Sequence, residues 1–225
     1  MGLEVETSFD VVVRLTESML GTVPMNKDVY EQYIQSKVDK ARESGQVEIS
    51  DEELKKEVET VEELGEKGHT GFHKDDDGIF IYNYMIKGFL KSACEVCQAV
   101  GAVDKISAYK KWIDLLVFVE PRKIYFCFTE DFHNVLQKAD DTLSRSIRTI
   151  SPKGPRTSLM KSDLVEAGRF MKFRIDVLKS TKGLGKDSIE QMLDYGRFVG
   201  LGQWRGSGAY GRFEIVSIED VAVAQ

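Results

Sequence analysis

The sequence predicts an α+β protein with a mostly antiparallel sheet and its helices on one face. Three observations carry this. Short alternating apolar runs recur along the chain, two helical patterns separate them, and no regular β–α–β–α alternation of the kind that builds a parallel sheet is present. The composition, 42% hydrophobic and 30% charged over 225 residues, suits a folded chain with a sizeable core.

Glu4 to Thr16 reads as the first strand, with Phe9, Val11, Val13 and Leu15 alternating against Asp10, Val12 and Arg14. Leu20 to Pro24 forms a turn, and Asn26 is placed to cap a helix carrying Val29, Tyr30, Tyr33 and Ile34. Ser50-Asp51-Glu52-Glu53 is a second helix start, followed by Leu54, Val58, Val61 and Leu64 in one narrow stripe. Residues 37–68 are therefore expected to form an acidic helical insertion. The three aspartates 75–77 before Gly78 make a hairpin tip, since the spacing and closing glutamate of a calcium loop are missing. From Asn83 the pattern is helical, with Met85, Phe89, Leu90, Ala93, Val96 and Cys97 on the apolar face. Cys94 and Cys97 lack a second ligand pair at zinc spacing and are expected to pack in the core with no metal.

Further on, Ile113 to Val119 and Ile124 to Phe128 read as two strands of a hairpin with a basic corner at 120–123. Residues 143–161 read as a projecting basic hairpin around Ser151-Pro152-Lys153-Gly154-Pro155. A strand follows over 168–178, then a helix capped by Asp187 through Ile189, Met192, Leu193 and Phe198, and a last strand around Arg212 to Val216.

The formal net charge of −6 conceals an asymmetry. Asp39 to Gly68 holds eleven acidic and five basic residues, whereas Leu143 to Arg212 holds fourteen basic and six acidic. A local basic field of that size is either a set of solvated faces or a surface for a phosphate-bearing partner. No run of eighteen apolar residues exists and the start is not that of a signal peptide, so no membrane partner and a cytoplasmic location are expected.

Two segments carry chemical information. In the first, Gly200, Gly202, Gly206, Gly208 and Gly211 interleave with Trp204, Arg205, Tyr210 and Arg212. A dinucleotide loop follows a strand and opens a helix, and this one does the reverse; the phosphate-loop pattern of ATP-binding proteins is absent. Glycines let backbone N–H groups approach a phosphate, arginine adds forked donors, and the aromatics can stack on bases. The competing reading is a glycine-rich bend that joins a helix to an edge strand. In the second segment Lys87 and Lys91 flank Gly88 on the predicted helix, where a glycine costs about 1 kcal/mol against alanine. That cost points to close backbone packing or to a ligand over the helix start. Arg145, Arg148, Lys153 and Arg156 of the basic hairpin extend the candidate set.

Asp77-Gly78, Tyr84-Met85-Ile86-Lys87-Gly88-Phe89-Leu90-Lys91 and the loop from Gly202 to Arg212, at these places in the chain, resemble the RAMP superfamily, RRM-like RNA-binding proteins of CRISPR systems. Where members carry Pro-Gly-Ser-Ser at the helix start, this chain has Ile81-Tyr82-Asn83-Tyr84. The chain is also similar to a group of phage and prophage proteins sharing Lys87-Gly88-Phe89, Pro121-Arg122-Lys123 and Gly200 to Arg205. The resemblance implies a single RAMP-like domain over 1–225 with an RRM/ferredoxin-like sheet, binding single-stranded RNA or a phosphate-bearing nucleotide without a cofactor. It also implies other protein subunits or self-association. The phage likeness implies a bacterial host, with a counter-defence role as the alternative: engaging a host CRISPR complex or sequestering a signalling nucleotide. The histidines, His69, His73 and His133, form no acid–base pair with a nucleophile; His69 and His73 are expected at the surface, and a non-enzyme is favoured.

Overall fold

The computed structural model describes residues 4–32, 34–35, 56–61, 68–151 and 154–222. The expected insertion at 37–68, with its start signal at Ser50, falls largely outside them. The protein is α+β, with several mostly antiparallel sheets and few helices. It divides into two compact units: Met1–Met19, Phe80–Leu136 and Glu166–Gln225 form the first, Leu20–Ile79 and Gln137–Val165 the second.

In chain order the strands are β1 (Val5–Leu15), β2 (Met19–Leu20), β3 (Val23–Pro24), β4 (His69–Gly71), β5 (His73–Lys74) and β6 (Ile79–Tyr82). They continue with β7 (Val117–Glu120), β8 (Lys123–Tyr125), β9 (Asp141–Ser151), β10 (Gly154–Val165), β11 (Phe170–Leu178) and β12 (Phe213–Asp220). Besides helical residues at 27–32, 34–35 and 56–59, the described residues form the helices α1 (Asn83–Ala99), α2 (Tyr109–Leu116) and α3 (Lys186–Asp194).

The first unit is built on a four-stranded sheet in the order β12-β1-β11-β7. Every neighbouring pair is antiparallel, so β1 and β7 run parallel with β11 between them. A helix, α1, joins β1 to β7 by way of the second unit, and α3 joins β11 to β12. The alternation read in the sequence sets the sheet's two faces. Phe9, Val11, Val13 and Leu15 of β1 and Phe173, Ile175 and Val177 of β11 are buried, while Asp10 registers with Arg174, and Val12 with Lys172, on the other face. Phe89 of α1 meets Phe213 of β12 at 5.1 Å between ring centroids. Burying such aromatic and aliphatic side chains, at about 1.5–3 kcal/mol each, is what holds helix to sheet.

Several expectations need correction. Residues 113–116 are helical, the last turn of α2, because a short apolar run does not distinguish a buried strand from a helix by itself. Nor do the two apolar runs form a hairpin: β7 pairs with β11, and β8 pairs with β6. The buried face of α1 is Ile86, Phe89, Leu90, Ala93, Cys94 and Cys97, shifted from the Met85 and Val96 expected. α3 is capped at Gly185, whose N–H donates to Ser188 Oγ at 2.9 Å, and Phe198 is exposed.

In the second unit β9 and β10 pair antiparallel from Asp141–Leu164 to Ser151–Gly154. β4 lies parallel to β10 and antiparallel to β3. Asn26 caps the helical residues 27–32 as read, its Oδ1 accepting the Val29 N–H at 3.0 Å. Tyr30 packs with Val23 and Val61, flanked by Ile34 and Val58. His73, expected at the surface, is buried: its Nδ1 lies 2.8 Å from Thr60 Oγ1 and its Nε2 3.3 Å from the Tyr30 hydroxyl. That hydroxyl also donates to the buried Glu57 at 3.4 Å. His69 is largely enclosed too, paired with Asp163 at 2.7 Å. Both rings are enclosed with polar partners: Tyr30 and Thr60 meet the two ring nitrogens of His73, and Asp163 meets Nε2 of His69.

Candidate nucleic-acid interface

The glycine-rich loop leaves the short 3-10 turn at Tyr195–Arg197 and delivers the chain to β12. Its two ends cross closely: the Leu201 N–H donates to the Gly211 carbonyl at 2.9 Å, and the Gly211 N–H to the Ser18 carbonyl at 2.8 Å. The Arg212 carbonyl then accepts from the N–H groups of Thr16 and Glu17, tying the loop to the end of β1. A Cβ on Gly200 or Gly211 would fall 2.0 Å from backbone atoms of Gly211 or Leu201. Gly202 and Gly211 have positive φ, and a Cβ on Gly208 would meet the Trp204 carbonyl oxygen at 2.8 Å. Four of the five glycines thus have a purely conformational reason, which weakens the inference from their number alone. Gly206 is the exception: a Cβ there would meet nothing within 4 Å.

What the conformation leaves unexplained are the side chains between them. Trp204 is held in the left-handed region at φ 54° and is 48% exposed. A bulky residue at positive φ in an open loop is a costly placement, and such costs concentrate at functional sites. Arg205 and Tyr210 are partly exposed beside it. Arg212 is partly exposed, and its Nε is buried with no hydrogen-bond partner among the described residues.

The helix-start residues are differently employed. Lys87 Nζ donates to the Asp114 carbonyl at 3.3 Å and lies 5.2 Å from the Phe118 ring centre, and Lys91 pairs with the Asp114 carboxylate at 2.6 Å. Burial holds the Lys87 ammonium below its usual value, opposed by the Asp114 charge. At 100° per residue, Lys87 and Lys91 occupy a different side of α1 from Phe89, which faces Phe213. Gly88 is not there for close packing, since a Cβ on it would also meet nothing within 4 Å.

The hairpin residues belong to the second unit. Arg145 donates to the buried Ser162 hydroxyl at 3.1 Å, Arg148 is exposed and registers with Thr157, and Arg156 registers with Thr149; Lys153 lies outside the described residues. The structure therefore collects Gly200, Gly202, Trp204, Arg205, Gly206, Gly208, Tyr210, Gly211 and Arg212 in one loop, with Lys87, Gly88 and Lys91 on α1. Among the described residues no group of three or more His, Cys, Asp or Glu is arranged to hold a metal ion, and no helix is long and apolar enough to cross a membrane.

No protein-family model matches the chain, and no curated protein matches it. Among solved structures it is similar to a chain in the cryo-EM structure of the Type III-B Cmr-beta bound to cognate target RNA, with 14% identity and a TM-score of 0.46. That match covers 96% of this chain and 60% of the other, so the chain spans less than two thirds of that neighbour's length. A chain of a Type IV-B CRISPR complex is similar at 10% identity and a TM-score of 0.43, covering 97% of this chain and 92% of that one. Both structural neighbours thus come from CRISPR assemblies. At TM-scores below 0.5 neither likeness carries its ligand over to this chain.

Proposed function

We propose that the protein is a non-catalytic, single-stranded RNA-binding protein of the RAMP-like, CRISPR-associated kind, with an RRM-like first unit. Support for the RRM-like part is the strand order, last–first–third–second, with a helix in each of the two crossovers. The observation that carries the RNA-binding part is the loop: an exposed, left-handed Trp204 beside Arg205, with open space over Gly206 and a partly exposed Arg212 where the loop meets β12. Trp204 and Tyr210 offer base-stacking surfaces, and the two arginines offer charge-assisted donors to phosphate. The basic hairpin of the second unit, with Arg145, Arg148, Lys153 and Arg156, offers a further set of cations to an RNA backbone.

The test is a titration with a single-stranded RNA oligonucleotide at low and at physiological salt. Arg205→Ala combined with Arg212→Ala weakens binding by about a hundredfold or more, from about 1.5–3 kcal/mol per charge-assisted bond. The salt slope falls by about 0.7 for each phosphate that is no longer neutralised. Unchanged affinity and slope in a folded double variant overturn the reading.

A further inference from the structure

A cavity of about 510 Å³ opens on the first unit, over the face of the four-stranded sheet that carries Asp10, Lys172 and Arg174. Its lining is mostly apolar, with charged side chains set among Pro121, Cys127 and Val135. Lys123, Lys172 and Arg174 line it with Tyr125, Phe132 and Glu120. Asp10 fixes the two sheet cations: its carboxylate accepts from Arg174 Nε at 2.8 Å and lies 3.3 Å from Lys172 Nζ. The Arg174 and Lys172 side chains nonetheless remain 43% and 48% exposed, with further N–H groups to donate. Three cations against the carboxylates of Asp10 and Glu120 leave the lining net positive.

Phe132 supplies the second observation. It sits at φ 59° in the left-handed region, on a loop closed by the Phe128 N–H to the Asn134 carbonyl at 3.0 Å and by Asp131 accepting from Thr129 and from the His133 N–H. Glycine or asparagine fills such a position without strain, so the loop's own backbone has no need of a phenylalanine. The ring instead lines the cavity, as Tyr125 does.

We propose that this cavity binds a nucleotide unit, with the base against Phe132 and Tyr125 and the phosphate taken by Lys123, Lys172 and Arg174. Glu120 then accepts from an exocyclic amine or a ribose hydroxyl. The volume falls within the range of small-molecule sites, and an aromatic wall with convergent cations is the pairing that a base and its phosphate require. The unit comes either from a free mononucleotide or from one residue of an RNA chain. The site is independent of the glycine-rich loop, which meets β1 at Thr16, six residues from Asp10 and so about 20 Å away at the rise of a strand.

The experiment titrates the intact protein with 5′-AMP, 5′-UMP and a single-stranded RNA oligonucleotide, beside Phe132→Gly and Lys172→Met. Phe132→Gly is expected to weaken binding at least about fivefold, the lower end for the loss of one base–aromatic stack, while its thermal midpoint stays level or rises as the strain is relieved. Lys172→Met weakens binding and flattens its salt dependence. Saturable AMP or UMP binding with these losses identifies a free nucleotide; losses seen with the oligonucleotide alone identify a residue of a chain. If the glycine variant does not fold, Phe132→Asn takes its place, since asparagine tolerates the same φ. The proposal is overturned if neither mononucleotide binds at millimolar concentration and both variants bind the oligonucleotide as the parent does. It is equally overturned if Phe132→Gly melts lower and binds unchanged.

Discussion

A methyl group on Gly200 would lie 2.0 Å from the carbonyl carbon of Gly211, so the two ends of the glycine-rich loop cross backbone against backbone. Gly211 itself combines that crossing with a φ of 69°. Gly200→Ala and Gly211→Ala are each expected to cost more than about 3 kcal/mol, since no flexible side chain is available to yield. Gly206→Ala, which meets nothing, changes stability by about 0.5 kcal/mol or less. Urea unfolding of the three variants checks the contrast, and equal losses would contradict the crossing.

Gly88 separates stability from function. It lies inside α1 with open space beyond its Cα, so Gly88→Ala is expected to stabilise the protein by about 0.5–1 kcal/mol. A ligand that lies directly over the helix would be met by the new methyl group. Affinity for RNA then falls while the melting temperature rises; a rise in stability with unchanged affinity removes Gly88 from the interface.

The period-two strands were legible because one face of each is buried: Phe9 to Leu15 and Phe173 to Val177 could alternate in only one register. The partners of β7 and β8 were not legible, since β11 and β6 are supplied from elsewhere in the chain and no local turn signal reports such a pairing. Polar burial was hidden for a similar reason. Nothing beside His73 in sequence predicts that Tyr30 and Thr60 will satisfy its ring. In the candidate site, the loop's residue types were readable, but the glycines' mutual contacts and the positive φ of Trp204 and Phe132 exist only in three dimensions. Outward residues of β1 and β11, Asp10, Lys172 and Arg174, were visible singly as polar positions and become a cavity wall only through the register.

The three cysteines are buried as free thiols, and burial raises each above its usual value, Cys94 to about 11. At pH 8 they are therefore thiols rather than thiolates, and shielded ones. The native protein is expected to react only slowly with a thiol-specific disulfide reagent, and the denatured protein to release three equivalents. Fast reaction of two equivalents in the native protein would mean that α1, which carries Cys94 and Cys97, opens readily.

Asp10 gives the sheet a pH dependence of known sign. Hydrogen bonding from Arg174, aided by Lys172 and opposed by burial, holds its carboxyl below the ordinary value of 3.8. A carboxylate depressed in the folded state contributes stability that is fully present above its unfolded value and is lost as pH falls through the lower folded value. The partners are close to half exposed, with side-chain exposures of 43% and 48%, so screening limits the contribution to about 1 kcal/mol or less. Asp10→Asn is thus expected to lower stability by up to about that amount at neutral pH. The gap between variant and parent should stay constant down to about pH 4 and close as the pH falls further. Added salt should narrow it at every pH above that window. Urea unfolding of both proteins across the acid range measures the gap directly. A gap that persists unchanged once Asp10 is protonated would assign the loss to packing instead of charge.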